Sequence, residues 1–124
     1  MLISAERVES IFARMEERKD RLCTSSFAVA ETMVGPYKSG EQEMIQRVRD
    51  FFRPPFVKVI PFTDTTADRF ARLRAELGLS SADAIHLACA AEANVDVFLT
   101  SDRSLASRVV PGIQFITGLD GKLF

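Results

Sequence analysis

The stretch Ser80-Ser81-Ala82-Asp83-Ala84-Ile85-His86-Leu87-Ala88, with Phe98-Leu99-Thr100-Ser101-Asp102 downstream of it, decides how this chain is read. Ser80 or Ser81 opens a helix that carries Ile85, Leu87, Ala88 and Ala91 and ends near Asn94. A serine oxygen there accepts one of the N–H groups that a helix start leaves unpaired. Val95 to Thr100 is then an uninterrupted apolar run, the pattern of a strand buried on both faces. Asp102 to Arg108 reads as a short helix. Helix, apolar strand and helix in succession are the building unit of a parallel α/β sheet.

The same alternation extends upstream. Residues 4–20 read as a helix, with Val8, Ile11, Phe12 and Met15 on one face, Arg7, Arg14, Arg18 and Lys19 on the other, and Ser4 as its cap. Leu22 to Ser25 is a short buried strand. Ser25 or Ser26 caps a helix through Ala28, Val29, Ala30 and Val34 that Gly35-Pro36 should stop. Ser39 and Gln42 have the spacing of a capping box for a helix that turns Met44, Ile45, Val48, Phe51 and Phe52 inward. Phe56 to Ile60 is a strand between prolines. Thr63 or Asp64 starts a helix to Leu77, with Phe70, Leu73 and Leu77 on its apolar face and Gly78 at its C-cap. Gly112 precedes a last strand, Ile113 to Ile116, and Gly118 to Phe124 is a loop. The fold class expected is α/β, a sheet of parallel strands covered by helices, in a single domain over residues 1–124. It is unusual for this class that the helix at 4–20 has no strand before it.

Composition narrows the chemistry. A chain of 124 residues that is 47% hydrophobic and 27% charged is of ordinary globular character. No apolar run reaches the ~20 residues that span a bilayer, and no basic segment leads into an apolar one at the N-terminus. Cys23 and Cys89 are far apart and form no CxxC pair, which fits a reducing cytoplasm. His86 is the single histidine, which excludes an HExxH zinc site. There is no GxSxG, no GxxxxGK[ST] and no GxGxxG, which argues against a phosphate-handling hydrolase of another α/β type. With a net charge of −1, contact with a nucleic acid has to come from a local basic patch. Arg69, Arg72 and Arg74, or Arg14, Arg18, Lys19 and Arg21, form such stripes, but acids are interleaved with them and an ordinary solvated face is the default.

Three acids stand close to helix starts or strand ends. Glu31 lies in the helix after the first strand, Asp83 three residues after Ser80, and Asp102 two residues after Thr100. Parallel α/β sheets gather ligands where strand ends lead into helices. Carboxylates without soft partners favour Mg²⁺ or Mn²⁺, which work on phosphates. Each acid also has a plainer reading. Asp83 fits a capping arrangement with Ser80, Asp102 fits a first-turn acid on the helix dipole, and Glu31 fits an exposed glutamate. The small apolar neighbours of Glu31 and Asp83 argue against a solvated charged face for either. His86, one turn beyond Asp83, can meet a phosphate or a carboxylate, or can be a packed histidine satisfied by a backbone group. Arg103 can meet a substrate phosphate or stay in solvent.

These segments together are similar to PIN-domain proteins, above all the VapC-type toxins of bacterial toxin–antitoxin pairs. The likeness rests on Ala30-Glu31 with Val34-Gly35-Pro36, Leu73-Arg74-Ala75 before Gly78-Leu79, Ala82 to Ala88, and Phe98 to Leu105. It implies a three-layer α/β/α sandwich with a short parallel sheet and a metal-dependent endoribonuclease. Glu31, Asp83 and Asp102 would be the catalytic and metal-binding acids for Mg²⁺ or Mn²⁺. Ser101, Arg103 and His86 would be the substrate-binding residues. It also implies an RNA substrate, a cognate antitoxin, a homodimer and a cytoplasmic location away from membranes. The family opens with a strand ending in an aspartate, and Met1-Leu2-Ile3-Ser4 is similar only to the tail of that motif. The expectation is a first strand and its acid absent from this sequence, with weakened metal binding and cleavage. An alternative is a non-catalytic module that binds an antitoxin or another partner.

Overall fold

The computed structural model describes residues 5–55 and 57–119. The elements run α1 (Ala5–Arg18), β1 (Leu22–Ser25), α2 (Ser26–Ser39), α3 (Gln42–Phe51), β2 (Val57–Ile60), α4 (Asp64–Leu77), α5 (Ser81–Glu92), β3 (Val97–Thr100), α6 (Arg103–Ala106) and β4 (Phe115–Gly118). Helices and short strands share the chain, and among the described residues the strands pair in parallel as two separate two-stranded sheets, so the expected α/β class holds. The chain divides into two compact units, Leu22–Ala93 and Met1–Arg21 with Asn94–Phe124.

In Leu22–Ala93, β1 pairs with β2 from Leu22 opposite Val57 to Ser25 opposite Ile60. A parallel pair needs a crossover, which α2 and α3 supply. α5 lies against β1, and α4 packs along α5. Ala84, Leu87, Ala88, Cys89, Ala90 and Ala91 are all buried on α5, which is therefore the central helix of the unit. Its alanines let α4 come close with Thr66 and Leu73, and Arg69 Nε reaches Glu92 Oε1 at 3.1 Å beside that contact. Thr63 and Thr66 form a reciprocal capping box at the start of α4. Gly78 ends it at φ 65°, a left-handed conformation that suits glycine.

Three details depart from expectation. α2 does not stop at Gly35-Pro36 but continues to Ser39. Proline costs the helix one N–H and crowds the carbonyl four residues back, yet α2 carries Pro36 within it and ends where Gly40 turns left-handed at φ 69° and donates to the carbonyls of Pro36 and Tyr37. Ser39 forms no capping box: its hydroxyl donates to the Pro36 carbonyl at 3.1 Å, and Glu41, the N-cap of α3, makes no side-chain cap bond. On α3 only Ile45 is buried, while Met44 and Phe51 are exposed. Neighbouring helical residues point about 100° apart, so a short helix with Ile45 inward turns Met44 away.

In the other unit β3 pairs with β4 from Val97 opposite Phe115 to Thr100 opposite Gly118. α6 packs on both strands. Ile11, Leu105, Val110 and Ile113 are buried, and Arg7 Nε donates to the Leu119 carbonyl at 2.8 Å. β3 is not buried on both faces as its apolar run suggests. Val97 is 43% exposed and Phe98 to Thr100 are half-buried, because β4 is its single strand neighbour among the described residues. β4 starts at Phe115 rather than Ile113, since the Ile113 N–H closes a turn on the Val110 carbonyl at 3.1 Å. The readings made for Met1 to Ser4 and for the tail beyond Leu119 lie outside the described residues.

Candidate functional site

β1 ends in Ser25, which is 4% exposed and caps α2: its Oγ accepts the Ala28 N–H at 3.0 Å. The strand-to-helix turn thus has no gap, and Glu31 follows in the second turn of α2. On α5, Ser80 Oγ accepts the Asp83 N–H at 3.2 Å. The bond runs one way. No reciprocal bond from the Ser80 N–H to the Asp83 carboxylate forms among the described residues, so the carboxylate is not consumed by the cap. Asp83 is half-buried, whereas Glu31 is exposed, against the expectation that both are sheltered by their small neighbours. Ala30 and Thr32, which flank Glu31 in sequence, are themselves exposed and leave the glutamate in the open.

His86 lies one turn beyond Asp83 and joins α5 to β1 and α2. Its Nδ1 lies 2.8 Å from Ser25 Oγ, and its Nε2 lies 3.4 Å from Glu31 Oε1. The ring is half-buried and stacks at a tilt on Phe27, with ring centroids 5.7 Å apart. The histidine thus bonds a side chain, Ser25, and faces a second, Glu31, at ion-pair distance, in place of the backbone group that its surroundings suggest. Both ring nitrogens face partners inside the chain, which leaves neither directed at a substrate phosphate. Ser25 is the member of this cluster that sequence reasoning missed. Its capping role is visible in the sequence, but nothing there pairs it with a residue 61 positions away.

Asp102 belongs to the other unit and is the N-cap of α6 rather than its first residue. Its Oδ1 accepts from the Ser104 N–H at 2.9 Å, the Ser104 hydroxyl at 2.7 Å and the Leu105 N–H at 3.3 Å. The Ser104 hydroxyl first, then the Leu105 N–H, hold this carboxyl below the ordinary carboxylate range. All three donors fall on Oδ1, and Oδ2 takes none of them. Thr100 Oγ1 accepts the Asp102 N–H at 3.0 Å and fixes the loop between β3 and α6. Ser101 and Arg103 flank Asp102 and are exposed.

Among the described residues, no three His, Cys, Asp or Glu side chains are grouped closely enough to cage a metal ion. The donor chemistry nonetheless suits Mg²⁺ or Mn²⁺. These ions are held by one or two carboxylates with waters and substrate phosphates supplying the rest, not by an all-protein cage. Glu31 and Asp83 are two hard carboxylates of one compact unit, each one contact or one helical turn from His86. The basic stripes are paired with acids: Arg14 with Glu17, Arg18 with Asp20, Arg69 with Glu92 and Arg72 with Asp68. Arg14, Arg18 and Arg72 lie on the solvated faces expected by default, whereas Arg69 is part-buried with Glu92 and Arg74 donates to the Ser81 hydroxyl. On α2, Ala30, Met33, Val34, Tyr37 and Lys38 line a shallow open depression, with Val34 49% and Tyr37 53% exposed.

A profile of the PIN domain matches residues 2–109, across both compact units. The chain belongs to the PIN domain family. Among solved structures, this PIN domain is similar to a toxin–antitoxin complex from Klebsiella pneumoniae, with 29% identity and a TM-score of 0.57 over 72% of this chain and 68% of that one. It also shares its fold with VapBC2 from Rickettsia felis bound to a DNA fragment from the promoter of that pair, with 20% identity and a TM-score of 0.69 over 89% and 85% of the two chains. Comparison with curated proteins gave no match. No helix among the described residues is long and apolar enough to cross a membrane.

Proposed function

We propose that this PIN domain is the toxin of a toxin–antitoxin pair and hydrolyses RNA phosphodiester bonds with Mg²⁺ or Mn²⁺. The observation that carries the reading is the His86 contact with Glu31, which draws the glutamate of α2 towards the helix face that bears Asp83. In this reading Glu31 and Asp83 hold the cation through their carboxylate oxygens. Asp102, which belongs to the other unit, is proposed as a catalytic acid solely on the resemblance of Phe98 to Leu105 to the family motif. The cation, when bound, supplies Lewis-acid stabilisation of phosphoryl charge and a lowered pKa for an attacking water. Asp102 is ionised at neutral pH as any exposed aspartate is, and the Ser104 hydroxyl and Leu105 N–H hold its carboxyl lower still. Ser101 and Arg103, exposed on either side of it, offer a hydroxyl and a cation to substrate phosphates.

The test is cleavage of a labelled RNA with Mn²⁺, with chelator, and with Asp83→Asn. Loss of several kcal/mol of charge stabilisation corresponds to a slowing of at least about a hundredfold. Equal cleavage by Asp83→Asn and the parent chain would overturn the assignment.

The exposed apolar stripe of α2 favours a second reading, in which the domain binds an antitoxin or a second copy without cutting RNA. The neighbouring toxin–antitoxin complex from Klebsiella pneumoniae supports such a partner. Co-purification with the product of an adjacent small open reading frame, lost in Val34→Asp, is the expected result if the stripe is a docking face. Undiminished capture by Val34→Asp would exclude that face.

A further inference from the structure

We infer that His86 is a positioning residue: with Ser25 behind it, it orients the Glu31 carboxylate for the cation. This rests on the assignment of Glu31 as a metal ligand made above.

For a neutral His86 ring, one arrangement keeps lone pairs from opposing each other. Ser25 Oγ already accepts the Ala28 N–H, and its own proton is free to donate to His86 Nδ1 at 2.8 Å. Glu31 in its ionised form can only accept. Nε2 lies 3.4 Å from Glu31 Oε1, an ion-pair distance rather than an aligned hydrogen bond, and in the neutral ring a proton on Nε2 faces the carboxylate while Nδ1 keeps its lone pair for Ser25. The opposite tautomer would set two lone pairs against each other at Nε2. Ser25 therefore favours that tautomer, in which His86 turns the N–H edge of its ring towards the glutamate. Phe27 on one side of the ring limits its rotation.

The arrangement has the order of a Ser–His–acid triad, but its exposure is inverted. A nucleophilic serine must reach substrate, with the acid sheltered behind the base. Here the serine is 4% exposed and engaged in a helix cap, while the glutamate side chain is 52% exposed. What reaches solvent is the carboxylate. A glutamate on an open helix face has three torsions to order before it can hold an ion. A histidine anchored at its far nitrogen removes part of that disorder, the role that outer partners play for metal-ligating carboxylates.

The experiment measures Mn²⁺ binding by paramagnetic resonance on the RNA-free protein, so that no cleavage enters the readout. Removing an outer partner weakens metal affinity by 10–100-fold, so His86→Leu should weaken Mn²⁺ binding by about tenfold or more. His86→Gln, whose amide can still donate to Glu31, should recover most of it. His86→Leu binding as tightly as the parent, while Glu31→Gln binds weakly, would overturn the positioning role and leave the ligand assignment standing. Glu31→Gln binding as tightly as the parent would overturn both.

A second measurement does not depend on metal. His86 is the single histidine of the chain, so its ring nitrogens give unambiguous nitrogen resonances. In the neutral ring they should show the Nε2–H tautomer, and Ser25→Ala should mix the two tautomers. An Nδ1–H tautomer in the parent chain would overturn the proposal.

Discussion

Ser25 and His86 are 61 positions apart in the chain, and Ser25 Oγ lies 2.8 Å from His86 Nδ1. The contact ties the end of β1 to the middle of α5, and it is made by a serine that also caps α2. One hydroxyl therefore serves two elements that share no sequence signal.

Ser25→Ala should destabilise the fold more than an ordinary cap loss does. Removing a serine N-cap costs about 1 kcal/mol, and leaving Nδ1 of a half-buried ring without its donor adds up to about 1 kcal/mol more. Urea unfolding should show a lower midpoint with an unchanged slope, and Ser25→Thr should retain most of the stability. A Ser25→Ala chain with the parent midpoint would contradict both roles.

Acidification should reveal the Ser104 contact to Asp102. A carboxyl lowered in the folded chain stabilises that chain above its ordinary value of 3.8, and the contribution disappears as pH falls through its own lower value. Ser104→Ala removes the largest cause, so the Asp102 carboxyl should titrate at a higher pH by carbon-detected NMR. An unmoved titration in Ser104→Ala would show that the backbone donor of Leu105 suffices.

The two thiols should separate by reactivity. Cys89 is 1% exposed, and burial first, then the Glu92 charge, push its thiol up. Cys23 is half-buried on β1. In native buffer an alkylating reagent should modify Cys23 first, and Cys89 only on unfolding. Equal rates at the two, followed by mass spectrometry, would contradict the burial of α5.

Leu87 is 0% exposed at the centre of α5. Leu87→Ala should cost about 2–5 kcal/mol in denaturant unfolding, the range for a buried leucine whose surroundings relax only in part. A loss below about 1 kcal/mol would show that α4 and β1 collapse onto the vacated space.

The element order, the α/β class and the helix punctuation were legible in the sequence because they depend on neighbours. Thr63, Gly78 and Ser80 act within a turn of where they stand, and apolar periodicity marks a helix face without reference to any other element. Asp83, Glu31 and Asp102 were found in the same way, from their distance to helix starts. The failures share one cause. Gly35-Pro36 as a stop, Ser39 as a capping box and Met44 as a core residue were local signals overruled by a better local partner or by the single stripe available for packing.

By itself the sequence determined where helices and strands fall and which acids stand at their ends, since backbone hydrogen bonding and hydrophobic period act over a few residues. Only the tertiary structure decided what those side chains meet. The exposure of Glu31, the cap of Asp102 on Ser104 and Leu105, and the joining of Ser25, His86 and Glu31 follow from how α2, α5 and β1 pack and how the loop after β3 turns. A contact across 61 positions leaves no periodic trace, because the free energy that holds it comes from the packed elements and not from the segment on either side.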